Sequence, residues 1–194
     1  MKTIRTLLIV AALPLVFTSL AANRSEAVAA VIARMNGMKS FKAGVNITSG
    51  QSFWSGTLSY DSGRIHLALN DQRVITSDGK FLYVYDPNAK IVGKQELAGT
   101  SPGLEWLLKG YLTRVRGDSA VLMAESGTAR YREVRLAWDK SKMLKKLSIR
   151  PYNSENWTTV VINDVQEVGG FPDSLFSYRA PAGVRVIYNP LSGN

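Results

Sequence analysis

The stretch VITSDGKFLYVYDP, positions 74–87, carries the strongest structural signal in the sequence. Its centre, Asp78-Gly79, is a pair typical of a tight hairpin turn, because the glycine tolerates a positive φ. A short β-branched run precedes this turn, and an aromatic run follows it until Asp86-Pro87 turns the chain again. The stretch therefore predicts two antiparallel strands, and the bulk on both sides of residues 81–85 indicates that both faces of the second strand are covered.

The same alternation extends outward from this hairpin in both directions. Apolar residues alternate with polar or small ones in eight further stretches, which are 41–47, 54–60, 65–69, 91–97, 120–124, 132–138, 144–150 and 157–165, and residues 184–188 form a last strand. Short connections between such stretches favour antiparallel neighbours. We therefore expect a single sheet of roughly ten antiparallel strands with one strongly apolar face.

Two helices are predicted beside these strands. In the first, residues 25–37, four apolar side chains recur at helical spacing, namely Val28, Val31, Ile32 and Met35. In the second, Ser101 suits the N-cap, Pro102 suits the first turn, and an apolar stripe continues to Tyr111. The apolar face that these helices cover is either a filled core or a cavity for an apolar ligand, and periodicity alone does not separate the two.

Composition excludes several classes of function. The chain has 194 residues, no Cys and a single His. Disulfide scaffolds, Cys-ligated metal sites, thiol nucleophiles and paired-His metal sites are therefore excluded. The sequence has no nucleophile elbow, phosphate loop or dinucleotide fingerprint. We expect a protein that is not an enzyme, with no catalytic residue, no bound metal and no cofactor.

The N-terminus has the features of an export signal. Lys2 and Arg5 precede an apolar run from Leu7 to Leu20, and small residues follow at the spacing that signal peptidase requires. The alternative is a membrane anchor, but about 14 apolar residues fall short of the ~20 that a span requires. We predict that residues 1–22 are a cleaved signal peptide and that residues 23–194 form one exported domain.

Positive charge is concentrated in one part of the chain. The formal net charge is +9, and the segment from Lys109 to Arg150 holds eleven Lys or Arg against four Asp or Glu, a net +7. Such a segment attracts nucleic acid, anionic lipid or an acidic protein, or it is simply a solvated strand face. Export argues against nucleic acid.

The motif at 74–87 resembles the most characteristic stretch of the LolA family of periplasmic lipoprotein carriers, in which a Ser-Asp-Gly-Lys turn precedes an aromatic strand ending in Tyr-Asp/Asn-Pro. Residues 56–60, Gly-Thr-Leu-Ser-Tyr, are similar to a family strand upstream, and residues 172–176 and 181–186 are similar to its closing segment. The order and spacing of these pieces cover essentially the whole exported part of the chain. The resemblance implies an unclosed antiparallel β-barrel of about eleven strands whose opening is covered by short helices.

The resemblance also implies a function. A protein of this kind shields lipoprotein acyl chains in a hydrophobic cavity, receives its cargo from an inner-membrane LolCDE-type ABC transporter and delivers it across the periplasm to an outer-membrane acceptor, of LolB type or unknown, as a monomer. The alternative is a LolA-fold binder of another lipid or amphiphile, or a lipoprotein sensor. The sequence departs from the family where its usual Arg, associated with latching the lid, is replaced by Asp61.

Within this framework the alternation pattern selects candidate site residues. The cavity is expected to be lined by Ile65, Leu67 and Leu69, with Leu82 and Val84 as neighbours. Val28, Val31, Ile32 and Met35 are expected to form the lid side of the first helix. Four exposed bases are expected to serve docking, namely Lys140, Lys142, Lys145 and Lys146.

Overall fold

A computed structural model describes residues 26–97, 110–125, 127 and 129–189. These residues form one α-helix, α1 (Glu26–Gly37), a short 3₁₀ turn (Asp173–Leu175) and twelve strands. The strands are β1 (Ser40–Ser49), β2 (Ser52–Asp61), β3 (Arg64–Leu69), β4 (Val74–Ser77), β5 (Phe81–Asp86), β6 (Ile91–Glu96), β7 (Tyr111–Arg116), β8 (Ser119–Ala124), β9 (Glu133–Trp138), β10 (Leu144–Arg150), β11 (Thr158–Glu167) and β12 (Arg185–Tyr188).

All twelve strands belong to one sheet, in the order β12-β6-β5-β4-β3-β2-β1-β11-β10-β9-β8-β7. Neighbouring strands are antiparallel except for β12, which pairs in parallel with β6. The two outermost strands, β12 and β7, do not pair with each other, so the sheet is unclosed. This confirms the predicted antiparallel, unclosed architecture, with one strand more than the family resemblance implied.

The hairpin at 74–87 forms as predicted. β4 pairs with β5, and the Asp78 carboxylate accepts hydrogen bonds from the backbone N–H groups of Lys80 at 2.8 Å and Phe81 at 2.7 Å. Gly79 has a φ of 91°, which explains the glycine in this turn. The outward side chains of β5 are half-buried, so both faces of this strand are covered.

The sheet curls around α1. Twelve strands about 4.8 Å apart would span roughly 50 Å if the sheet were flat, whereas a helix of 12 residues is only about 18 Å long. Nevertheless, buried side chains of strands from β1 to β5 and β7 to β11 form a single apolar cluster with α1. The face of the sheet toward α1 is therefore concave, and we call it the inner face.

Two predictions concern residues outside this description. The signal peptide at residues 1–22 lies outside the described residues, as does the second helix up to residue 109. Tyr111, which was assigned to that helix, instead begins strand β7, so this assignment was wrong. No helix of the described residues is long and apolar enough to cross a membrane.

Candidate functional site

The five predicted cavity residues all lie on the inner face. Ile65, Leu67 and Leu69 on β3 and Leu82 and Val84 on β5 are each between 0 and 6% exposed. Strand register brings them together, because Leu67 stands opposite Leu58 on one side and Ile75 on the other. Ile75 in turn stands opposite Val84. An apolar row therefore crosses four strands beneath α1.

The inner face extends well beyond these five residues. The other half of the sheet contributes a second apolar wall, whose most buried members include Leu122, Val134, Leu136, Leu147 and Val160. Tyr111 on this wall stays neutral: burial raises its pKa to about 12, and its hydroxyl accepts a hydrogen bond from the Tyr131 backbone N–H at 2.8 Å. The alternation within β8 to β11 could have identified this wall from the sequence.

Helix α1 fills the space that the curled sheet encloses. Its four predicted lid residues, Val28, Val31, Ile32 and Met35, are all buried, and its opposite side presents small exposed residues such as Ala30 and Ala33. An exposed ion pair joins Arg34 of the helix to Glu167 at the end of β11, with 2.7 Å between the charged atoms. Exposed pairs of this kind contribute about 0–1 kcal/mol, so α1 is held mainly by its apolar stripe.

A second segment covers part of the outer face of the sheet. Residues 171–178, which we call the C-terminal strap, lie over β3 to β5. Phe176 is 1% exposed and lies beneath the Arg64 guanidinium, 4.5 Å from the ring centroid, and Tyr178 stacks on Tyr83 at 5.3 Å. The strap thus supports the inner wall from behind.

Asp61, the departure from the family motif, belongs to this outer arrangement. Its neighbour Tyr60 points into the core, so Asp61 points away from α1. The Asp61 carboxylate accepts hydrogen bonds at 2.7 Å from the Ser40 hydroxyl and the Arg64 guanidinium, and these contacts hold the pKa of Asp61 below its usual range despite burial. Arg64 also forms an ion pair with Asp173 of the strap. Position 61 therefore helps to hold the strap, and α1 is held by other residues.

His66 makes the strap sensitive to acid. Burial beneath the strap lowers the pKa of His66 below 6.5, against an opposing contact with the Leu175 backbone, and its Nδ1 atom has no hydrogen-bond partner. Because the pKa of His66 is lower in the folded protein than in the unfolded chain, the neutral imidazole contributes its full stability at neutral pH. This contribution is lost progressively as the pH falls below 6.5. The urea midpoint of the wild type should therefore decline more steeply between about pH 7 and 5 than that of His66→Gln. Equal slopes for the two proteins would contradict this assignment.

The four predicted docking lysines lie in two consecutive parts of the chain. Lys140 and Lys142 lie in the turn after β9, and Lys145 and Lys146 lie in β10. Lys142 is 4.0 Å from a carboxylate oxygen of Asp118, and Lys145 is 3.5 Å from one of Asp139. Lys140 and Lys146 are exposed.

Among the residues that the structure describes, no group of His, Asp or Glu side chains is arranged to hold a metal ion. The candidate site consists of a curled wall of apolar side chains and the one helix that covers it. Such an arrangement can bind an apolar molecule by exchanging contacts with α1 for contacts with the ligand.

Comparison with known proteins gives matches at the level of structure. No protein-family model matches the chain, and no curated protein matches it in sequence. An uncharacterized conserved protein from Thermus thermophilus is 10% identical over 84% of this chain and 97% of that one, with a TM-score of 0.53. MucB is 14% identical over 86% of this chain and 66% of that one, with a TM-score of 0.52.

A LolA superfamily protein from Nitrosomonas europaea is also similar, at 11% identity over 73% of this chain and 91% of that one, with a TM-score of 0.39. At these identities the likeness concerns the fold alone. The observed architecture is nevertheless the one that the sequence resemblance implied, an unclosed antiparallel sheet curled around a covering helix. The chain therefore has an unclosed, curled antiparallel fold similar to those of the Thermus thermophilus protein and of MucB.

Proposed function

We propose that the protein is a periplasmic carrier that binds lipoprotein acyl chains between α1 and the inner face and delivers lipoproteins to the outer membrane. In this proposal residues 1–22 are the cleaved export signal and residues 23–194 are the carrier domain. The observation that carries the proposal is the burial of the whole apolar stripe of α1 inside the curled sheet. In this proposal the protein acts as a monomer, by binding alone, without catalysing a reaction and without a cofactor.

The energetics of exchange support this proposal. Burying four aliphatic or Met side chains of α1 is worth about 6–12 kcal/mol, at ~1.5–3 kcal/mol for each. Burying a palmitoyl chain of about fifteen methylene or methyl groups is worth roughly 12 kcal/mol, at ~0.8 kcal/mol for each. Since these quantities are similar, an acyl chain can replace α1 on the inner face with only a small net change in free energy. Ile65, Leu67, Leu69, Leu82 and Val84 would then contact the acyl chain.

Cargo exchange also needs partners at both membranes. We propose an inner-membrane LolCDE-type ABC transporter as the donor and an acceptor at the outer membrane, of LolB type or of another kind. The exposed bases Lys140 and Lys146 remain candidates for contact with these partners. Lys142 and Lys145 are weaker candidates, because each is already close to an acidic side chain.

A second candidate function is transport or sensing of a different amphiphile on the same inner face. The contacts of Asp61 support this second candidate. In the family the residue at this position is associated with latching the lid, whereas here it bonds to Arg64, which in turn pairs with Asp173 of the strap. Both functions use the same apolar wall, so the identity of the bound lipid distinguishes them.

Photo-crosslinking from α1 tests the proposal. A photoreactive amino acid at Val31, which is 0% exposed, should crosslink to bound acyl chains in protein isolated from the periplasm. Mass spectrometry of the adduct identifies the ligand: a lipoprotein supports the carrier, and a free lipid supports the second function. Ala30, which is exposed on the opposite side of α1, is the control and should give no lipid adduct. If Val31 labels only its own chain in every preparation, α1 is an ordinary part of the core and the proposal fails.

A further inference from the structure

The outer face of the sheet differs sharply between its two halves. Over β3 to β5 it is covered by the C-terminal strap, and Phe176 and Tyr178 bury aromatic surface there. Over β7 to β10 the described residues provide no such cover apart from the Trp157 side chain, and the side chains that point outward include several bases. The segment that holds most of the positive charge in the sequence therefore forms the uncovered half.

Strand register gathers these bases into one patch. Arg114 on β7 and Arg135 on β9 both stand opposite Val121 of the intervening strand, so the three share one row. Arg116 and Lys146 belong to the next row, which runs through Ser119 and Ala137. We call the surface formed by Arg114, Arg116, Arg135 and Lys146 the basic face.

Most of this charge is not neutralised within the described structure. Arg114, Arg116 and Lys146 are exposed and form no ion pair with another described residue, in contrast to nearby Lys142 and Lys145. The fourth base, Arg135, is bonded to the buried carboxylate of Glu133 at 2.7 Å, yet its side chain remains 56% exposed. The basic face thus presents free positive charge to the solvent.

Exposed apolar side chains lie beside these bases. Leu112 and Met123 stand opposite each other on β7 and β8 and are 53% and 39% exposed. They occupy the row next to Arg114, on the same outward side of the sheet. Farther along, the Trp157 ring lies under the Arg135 guanidinium at 4.4 Å, in a groove of about 330 Å³ that Lys146 also lines.

We propose that the basic face binds the surface of a bilayer that contains anionic phospholipid. Basic side chains attract the negatively charged headgroups, and exposed apolar side chains insert at the boundary between headgroups and acyl chains. This pairing of free bases with Leu112 and Met123 favours a bilayer over an acidic protein, since charge alone would suffice for the latter. The inference goes beyond the proposed function, because it concerns the membrane surface and the opposite side of the sheet from the acyl-chain site.

Vesicle flotation of the purified, cargo-free protein tests this proposal. The wild type should bind vesicles of phosphatidylglycerol and phosphatidylcholine, should not bind vesicles of phosphatidylcholine alone, and should dissociate as NaCl is raised. Each base near an anionic surface contributes about a fivefold gain in partitioning. The variant R114Q/R116Q/K146Q should therefore partition about a hundredfold more weakly at low salt.

A second triple variant controls for net charge. Lys39, Lys80 and Lys90 are exposed bases outside the basic face, so K39Q/K80Q/K90Q loses the same charge and should bind within about twofold of the wild type. In a further variant, L112S/M123S, binding should weaken most at raised salt, where the apolar contribution dominates. Thermal unfolding of each variant verifies that it is folded.

Two results would overturn the proposal. Equal loss of binding in both triple variants would show a general effect of charge and no particular surface. The second is that the wild type does not bind anionic vesicles, while cargo transfer from the transporter is slow in R114Q/R116Q/K146Q and normal in the control variant. In that case the basic face binds an acidic protein instead. Lipid adducts from Val31 are measured separately, so the acyl-chain site and the basic face can each fail alone.

Discussion

Replacement of Leu67 by glutamate should abolish acyl-chain binding, with a loss of at least a hundredfold in affinity. Leu67 is 3% exposed and stands between Leu58 and Ile75 in the row beneath α1. A carboxylate there would lie between the aliphatic side chains of Leu58 and Ile75, and it must either remain unsolvated beside the ligand or draw water into the site. Burying an isolated charge costs many kcal/mol unless it is neutralised, which exceeds what the acyl chain gains at this position.

The neighbouring residue provides a matched control. Ala68 points to the opposite side of β3 and is exposed, so Ala68→Glu adds the same charge to the same strand without entering the site. Binding of a fluorescent acyl lipid should be lost in Leu67→Glu and retained in Ala68→Glu. Because a buried charge also lowers stability, Leu67→Gln is measured alongside; it leaves an unpaired polar group at a cost of about 1–3 kcal/mol and should weaken binding to an intermediate degree. Wild-type binding by a folded Leu67→Glu protein would show that the inner face is not the site.

Much of the fold could be predicted from the sequence because its signals are local. The Asp78-Gly79 turn and the aromatic strand after it determine one hairpin without reference to the rest of the chain. Alternation within β3, and the helical spacing from Val28 to Met35, likewise identify which side chains are buried. These signals suffice to identify residues of the inner face, because the alternation of apolar and polar residues within one strand already shows which of its sides is buried.

Other features depend on contacts between distant parts of the chain. β7 was not predicted because Tyr111 continues a helical stripe and the residues after it are mostly basic; they form a strand because β8 pairs with them. β12 joins β6 in parallel, although about ninety residues separate the two strands in the sequence. No local pattern encodes such a pairing.

The basic face and the strap contacts also combine features that are visible locally in the sequence with features that depend on distant residues. Alternation within residues 144–150 assigns Lys146 to an outward position, but only the register across three ladders shows that Lys146 shares one face with Arg114. Similarly, the departure at Asp61 is visible in the sequence, whereas its role in holding the strap depends on the ion pair that Arg64 makes with Asp173. Lys146 and Asp61 could be singled out from the sequence, whereas the residues beside them in the folded chain could not.

The close approach of β2 to β3 at Gly56 leads to the largest effect that we expect on stability. A Cβ atom at this position would lie 2.3 Å from the backbone oxygen of Ala68 and 3.0 Å from the Leu69 side chain. Backbone cannot rotate away as a flexible side chain can, so the strands would have to separate in the middle of the sheet. Gly56→Ala should therefore lower the free energy of unfolding by about 3 kcal/mol, the upper end of the usual cost of overpacking.

Urea denaturation of Gly56→Ala and of Gly37→Ala separates this steric effect from the general effect of replacing glycine. No atom would lie within 4 Å of a Cβ at Gly37, the last residue of α1, and its φ is outside the left-handed region. Alanine there should raise stability by as much as ~0.5–1 kcal/mol, because the unfolded chain loses conformational freedom. A Gly56→Ala protein as stable as the wild type would show that β2 and β3 can separate at little cost. In that case the inner wall could also widen there to admit a ligand, and the exchange with α1 would not be the only way for an acyl chain to enter.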